Sequence, residues 1–186
     1  KMFTKTIASA ALASLAFAGP RWGERSCPAF EAQADLDLAR YAGSWYEITR
    51  DKTTPFEILA SCVVADYSYT EGEGALGVTN SGYRYHKGWN TVSGSAVPQG
   101  DGLVVSFSGM PQLDSEPNYF VVGTDYDTYS IVYSCSKYGG LFAFDLLWVL
   151  ARETSLSDAK MEEIHKIIAQ KLPFYDFGKL AHYTKQ

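Results

Sequence analysis

The sequence predicts an all-β fold: an eight-stranded antiparallel up-and-down barrel with one C-terminal α-helix packed on its wall. Two observations predict it. Eight strand-like runs recur at short spacing between Ser44 and Ala151, most of them separated by turn-forming residues, and a single stretch of helical period follows the last. Consecutive strands joined by such short turns run antiparallel, and eight of them close into a barrel without exposed edges.

The runs are Ser44 to Arg50, Cys62 to Thr70, Leu76 to Tyr85, Trp89 to Val97, Gly102 to Phe107, Asn118 to Thr124, Tyr129 to Cys135 and Phe142 to Ala151. The turn signals are Glu71-Gly72-Glu73-Gly74, His86-Lys87-Gly88, Pro98 to Gly102, Asp125-Tyr126-Asp127 and Tyr138-Gly139-Gly140. Ser157 then supplies an N-cap for a helix whose Met161, Ile164, Ile168 and Leu172 share one face, with Glu162, Glu163 and Lys166 outside. Pro173 ends it, and Phe177 to Tyr183 has room for a short ninth strand.

Residues 1–18 read as a secretory signal peptide. Lys1 and Lys5 precede an apolar core from Ile7 to Phe17, and Ala16-Phe17-Ala18 stands before Gly19. The core is too short for a transmembrane helix. Residues 19–186 then read as one barrel domain, enough for a single sizeable core. The destination expected is secreted or otherwise extracytoplasmic, a periplasm or lumen included. The formal charge of −5 becomes −7 when Lys1 and Lys5 leave with a leader that holds no acid. That balance, with no basic stripe, argues against a nucleic-acid partner. Aromatic content is 15%, with 13 Tyr and 10 Phe, more than one ordinary core uses. Tyr, apolar in body and polar at its tip, suits a cavity wall or its rim.

Patterns that would signal other chemistry fail on context. Gly72-Glu73-Gly74-Ala75-Leu76-Gly77 matches the dinucleotide glycine pattern, but strand residues Val78-Thr79-Asn80 follow it where a helix N-terminus would have to hold the pyrophosphate. His86, His165 and His182 are dispersed, so no metal site is expected. Asp125 and Asp127 belong to a tight turn, where bonding the turn's own amides is their expected work. No Gly-x-Ser-x-Gly elbow is present.

Four segments carry a family resemblance: Ala39 to Ile48 with its Gly43-Ser44-Trp45-Tyr46-Glu47, Val78 to Tyr83, Thr124 to Cys135, and Trp148 to Arg152. In order and spacing they resemble the lipocalins, in particular the apolipoprotein D-like and bacterial members. The resemblance runs from about Cys27 to Tyr183. It implies that Trp45, after Gly43, plugs the closed end of the barrel with Arg152 lying over it, and that Thr124, Asp125 and Tyr126 open the turn into the seventh strand. These would be structural residues and not ligand contacts. It also implies a disulfide between Cys27 and Cys135. Cys62 occupies a position whose partner in the family lies in a C-terminal tail, and no Cys follows Cys135. Cys62 is then a buried thiol, a link to a second chain in a disulfide-bonded dimer, or a group that reacts with a ligand, as in lipocalin-type prostaglandin D synthase. The last option needs a cationic neighbour that the sequence does not identify, so no enzyme is expected.

A lipocalin is a carrier, and the expected partner is a small hydrophobic ligand of the fatty acid, retinoid, sterol, bilin or carotenoid class. No cofactor is required, although a bound lipid or pigment such as a bilin or carotenoid would fit. Alternation places Phe144, Leu146, Trp148 and Leu150 on one face of the last strand, with Asp145 opposite, and Leu103, Val105 and Phe107 on one face of the fifth. The resemblance turns Asn80, Gly82 and Arg84 inward and adds Tyr67. These side chains line a pocket or else simply fill the barrel, which eight strands also permit. An inward Arg84 would need a partner, and a ligand carboxylate would supply one. The alternative function is a binding module with membrane or protein contact through rim aromatics Phe56, Tyr83, Tyr85 and Trp89.

Overall fold

A computed structural model of the protein describes residues 26–57, 59–109, 116–138 and 142–182. The leader expected over residues 1–18, the turn glycines Gly139 and Gly140, and Tyr183 lie outside the described residues.

Asp37 caps a four-residue helix, α1 (Leu38–Tyr41), by accepting from the Arg40 amide at 3.1 Å. The strands then follow in order: β1 (Gly43–Asp51), β2 (Ala60–Tyr69), β3 (Leu76–Arg84), β4 (Gly88–Gln99), β5 (Gly102–Phe107), β6 (Phe120–Thr124), β7 (Tyr129–Tyr138) and β8 (Phe142–Ala151). A 3-10 turn, Pro55–Glu57, lies between β1 and β2. After β8 come α2 (Asp158–Lys171), a second 3-10 turn at Phe177–Lys179, and β9 (Leu180–His182), which pairs with β1. The eight expected strands and the C-terminal helix are all present. The ninth strand is shorter than expected because Asp176 bonds the Gly178 amide at 2.8 Å and turns the chain first.

All pairings are antiparallel, and the order β5-β4-β3-β2-β1-β8-β7-β6 leaves β5 and β6 to meet at the seam of a nearly closed barrel. The backbone joins there at the Leu103–Tyr119 bridge. Asn118 extends the seam with its side chain, accepting from Val105 N at 2.9 Å and donating to Val105 O at 3.0 Å as a strand residue would. The amides of Asn118 and Tyr119 both donate to Leu103 O at 3.1 Å, and β6 begins at Phe120 and not at Asn118.

One irregularity decides which side chains enter the barrel. Between β1 and β8 the register slips at Ile48, an extra residue between the pairs Glu47–Leu150 and Thr49–Val149. Opposed residues share a face, so Glu47 goes inward with Leu150, and beyond the bulge Arg50 goes inward with Trp148. Strict alternation from Trp45 would have sent Thr49 inside and Arg50 outside. A bulge of one residue re-aims everything after it.

Two cores result. Inside the barrel, Trp45, Tyr41, Tyr67, Leu76, Val78 and Val121 pack its closed half. Outside, Met161, Ile164 and Ile168 of α2 cover Ile48, Val122, Ile131, Leu147 and Val149. Ser157 caps α2 through Lys160 N, and Lys171 fastens its far end to Val122 O at 2.7 Å. A disulfide joins Cys27 to Cys135 of β7 and pins the N-terminal segment across the wall, where Phe30 meets Phe120 and Tyr133 edge to face.

Candidate functional site

Trp45 and Arg152 close one end of the barrel. Trp45 is fully buried and donates through Nε1 to Tyr41 O at 2.8 Å, while the Arg152 guanidinium lies 3.7 Å above its ring. That cation–π stack is worth roughly 0.5–2 kcal/mol. The same guanidinium donates to the carbonyls of Arg40, Ala42, Ser44 and Tyr126 at 2.9 to 3.0 Å, so it gathers the α1–β1 corner and the β6–β7 turn into one plug. Gly43 allows this by its backbone at φ +100°, and a Cβ there would stand 3.1 Å from Arg152 Nη1.

The β6–β7 turn is tied to the same plug. Thr124 Oγ1 accepts from Tyr126 N, and Asp125 Oδ1 accepts from the amides of Asp127, Thr128 and Tyr129 at 2.7 to 3.2 Å. Partial burial works against the Asp125 charge, but those amides outweigh it and hold the carboxyl below its usual range. Tyr126 OH in turn accepts from Gln33 Nε2 and Asp37 N at 3.1 Å.

Above the plug lies a cavity of about 310 Å³, at the lower end of the few hundred to a thousand Å³ typical of small-molecule pockets. Tyr67, Asn80, Val105, Phe107, Phe144, Leu146 and Trp148 all line it, as sequence alternation and resemblance placed them. Trp45 lines it too, so the plug residue forms the chamber floor and is not walled off from a ligand. Arg84 does not line it. Its side chain lies on the inward face of β3 but at the last residue of the strand, and its Nη2 donates to Phe56 O of the turn at the mouth. Near the floor a tyrosine cluster is held by hydrogen bonds, Tyr67 OH to Tyr119 OH at 2.8 Å and Tyr41 OH to Tyr119 OH and Ser130 Oγ at 2.9 Å. Burial pushes the Tyr41 hydroxyl up to about 12 and those of Tyr67 and Tyr119 well above their ordinary value, so the cluster is uncharged at any physiological pH. This accounts for part of the tyrosine excess.

The charged groups that sequence reasoning missed sit opposite, near the mouth. Arg50, 2% exposed, donates through Nη1 to Glu47 and through Nη2 to Glu57 O at 2.8 Å and Ala60 O at 3.0 Å, and its Nε stands 3.6 Å from Glu57 Oε2. Trp148 Nε1 donates to Glu57 Oε2 at 3.1 Å, and Phe56 stacks on Trp148 with ring centres 6.3 Å apart. The turn Pro55–Glu57 is thereby latched over the cavity, which all three of its residues line together with Glu47. Glu47 had a signal in the sequence, two residues beyond Trp45 on an alternating strand. Glu57 had none, because a single 3-10 turn has no period to read.

Two carboxyls share one guanidinium here. Burial pushes the Glu47 carboxyl up, to about 8, helped by the nearby Glu57 charge and opposed by Arg50. Burial also raises Glu57. With Glu47 protonated, the trio is neutral overall. The folded state then keeps a proton that the unfolded chain gives up above its ordinary carboxyl value near 4.5, so stability falls as pH rises from about 4.5 to about 8. The slope from this group is at most about 1.4 kcal/mol per pH unit. Thermal unfolding of Glu47→Gln and the parent should therefore diverge in the variant's favour between pH 5 and pH 8.5; a constant difference would mean that Glu47 is ionised throughout.

Cys62 falls at a second bulge, where the β2–β3 register shifts between Ser61 and Val64, and it has φ +51°. It forms no disulfide within the described chain and is absent from the cavity lining. Among the described residues, no group of three or more His, Cys, Asp or Glu side chains is placed to hold a metal ion.

Barrel, plug and chamber together define the class of small β-barrels with an internal, mainly apolar cavity. The chain belongs to the lipocalin family: residues 36–185 match the family model described as a lipocalin-like domain. It is 36% identical over 134 residues to apolipoprotein D of Bos taurus, covering 70% of this chain and 68% of that protein. Among solved structures it is similar to the allergen Per a 4 from cockroaches, at 26% identity and a TM-score of 0.68, with 88% of this chain and 97% of that one covered. Insecticyanin from the tobacco hornworm Manduca sexta shares the fold, at 20% identity, a TM-score of 0.66 and 85% of both chains covered.

Proposed function

We propose that this protein is an exported carrier that holds one small hydrophobic molecule inside its barrel. The observation that carries the reading is the chamber of about 310 Å³, floored by Trp45 and walled by side chains such as Val105, Phe107, Phe144 and Leu146. Every 100 Å² of apolar ligand surface taken from water contributes about 2.5 kcal/mol, before the loss of the ligand's free motion. A fatty acid, retinoid, sterol, bilin or carotenoid supplies such surface, and a bound pigment would colour the protein. The expectation of an acidic end group rested on Arg84, whose side chain is engaged at the rim. Trp45 and Trp148 border the chamber, so a ligand that enters should quench their emission. Titration with a retinoid and a sterol is expected to give saturable quenching at one ligand per chain. Linear, unsaturable quenching by every lipophile tried would contradict the reading.

A second reading has its own observation. Phe56, Leu59, Tyr85 and Trp89 are 51%, 82%, 75% and 63% exposed around the mouth, a patch suited to a membrane surface. Co-sedimentation of ligand-free protein with neutral phosphatidylcholine vesicles supports that role if Trp89→Ser and Leu59→Ser abolish it. No sedimentation counts against it.

A further inference from the structure

We infer that the chamber favours an apolar molecule carrying an ammonium group, which docks on the Glu57 carboxylate where two glutamates share one guanidinium. The inference rests on the carrier reading of the same chamber. Among the described residues, Glu47 and Glu57 line the cavity and no Lys, Arg or His does. Arg50 stands behind them, 2% exposed, with Nη1 on Glu47, Nη2 on two backbone carbonyls and Nε facing Glu57. Trp148, itself a wall residue, donates to Glu57 Oε2 at 3.1 Å, so this carboxyl lies beside the cavity surface, and the Glu57 side chain is 14% exposed. The other polar lining groups, such as Asn80, Ser106, Ser134 and Ser136, carry no charge and serve donors and acceptors alike. Charge is therefore what separates one ligand from another here.

Two carboxyls and one guanidinium balance only with a proton between the carboxyls. Glu47 hydrogen-bonds Glu57, and burial together with the Glu57 charge pushes the Glu47 carboxyl up to about 8. Of the other groups facing the pair, Arg84 at the end of β3 favours the Glu57 charge while bonded to Phe56 O, and Val63 and Ala65 of β2 and Trp148 and Leu150 of β8 do not titrate. An ammonium arriving on Glu57 takes over the balance: Glu47 gives its proton to water, and two carboxylates then alternate with two cations. Burial keeps that pairing strong. Below about pH 8 each amine bound releases up to one proton, so amine affinity rises with pH toward that value and levels off above it. Across the barrel, β5 stands four strands from β1 in the ring, and its Val105 and Phe107 receive the apolar body. A ligand carboxylate would give up its water to face two carboxyls.

The test is a matched series of twelve-carbon probes, dodecylamine, 1-dodecanol and dodecanoate, titrated into the full chain between about pH 6.5 and about pH 8.5 with tryptophan emission as the readout. The amine stays protonated throughout. At about pH 7.5 it is expected to bind tightest, about tenfold or more ahead of the alcohol, with dodecanoate weakest. Amine affinity should rise severalfold from about pH 6.5 to about pH 8 while alcohol affinity stays level, and calorimetry in buffers of different ionisation heat should find up to one proton released per amine. Glu57→Gln, which keeps an oxygen for Trp148, should bring the amine down to the alcohol and leave the alcohol where it was, a split that a merely structural role would not produce. Should that variant fail to fold, the ranking and the pH dependence on the parent protein decide. An amine bound no tighter than the alcohol, an amine affinity flat with pH, or tightest binding of dodecanoate overturns the inference and leaves the carrier reading standing. Binding of none overturns both.

Discussion

Arg50→Met is expected to lower the free energy of unfolding by about 3–5 kcal/mol at neutral pH, one of the two largest effects of any single substitution considered. The side chain is 2% exposed and holds Glu47, the Glu57 main chain and Ala60 together. Removing it leaves two carboxyls in a desolvated place with no counter-charge. The cost is the penalty of those stranded groups, not the worth of the ion pairs themselves, and this yields a sharper expectation. Replacing the trio together, as Glu47→Leu, Arg50→Met and Glu57→Leu, removes all three of its ionisable groups and should cost much less than Arg50→Met alone. Urea denaturation of the two proteins measures both numbers. A triple variant less stable than the single one would mean that the trio contributes net stability.

The second large effect belongs to the disulfide. Cys27 and Cys135 are 108 residues apart, and a cross-link closing a loop of roughly 100 residues removes up to about 4.7 kcal/mol of chain entropy from the unfolded state. Cys27→Ser with Cys135→Ser should lose about 2–5 kcal/mol. Local structure adds a spatial expectation. The segment behind Cys27 is otherwise held by Phe30 against Phe120 and Tyr133, and by Gln33, which bonds Val121 O, Thr124 N and Tyr126 OH. Hydrogen exchange should therefore quicken first at Gln33 and Thr124 in the double variant. A loss spread evenly over the barrel, with no early release of these amides, would show that the bridge acts on the unfolded chain alone.

Much of this architecture was legible in the sequence because the barrel's rules are local. Alternation and turn residues marked the eight strands, and the helical period of Met161, Ile164 and Ile168 marked α2. The closed end was legible as motifs, Gly43 with Trp45 and Thr124 to Tyr126, although only the structure joins them through Arg152. What escaped has a physical reason in each case. Helix α1 is one turn long, too short to display a period. Arg50 was hidden by the Ile48 bulge, which reverses the alternation that a strand reading assumes. Arg84 shares the inward face of β3 but sits where the strand ends, so a loop carbonyl claims it. Trp45 was assigned to the plug alone, whereas a plug at the bottom of a hollow barrel is also its floor.

The central claim is that the chamber is where a ligand sits, and a cavity-filling substitution tests it most directly. Ala65 lines the chamber and is 8% exposed, facing Trp45 on one side and Asn80 on the other. Native mass spectrometry of the parent protein with a sterol or 1-dodecanol should find a complex of one ligand per chain. Ala65→Phe, with its larger side chain standing in that space, should lose the complex while its circular dichroism stays that of the parent barrel. A folded Ala65→Phe protein that binds as well as the parent would place the ligand outside the barrel and contradict the account.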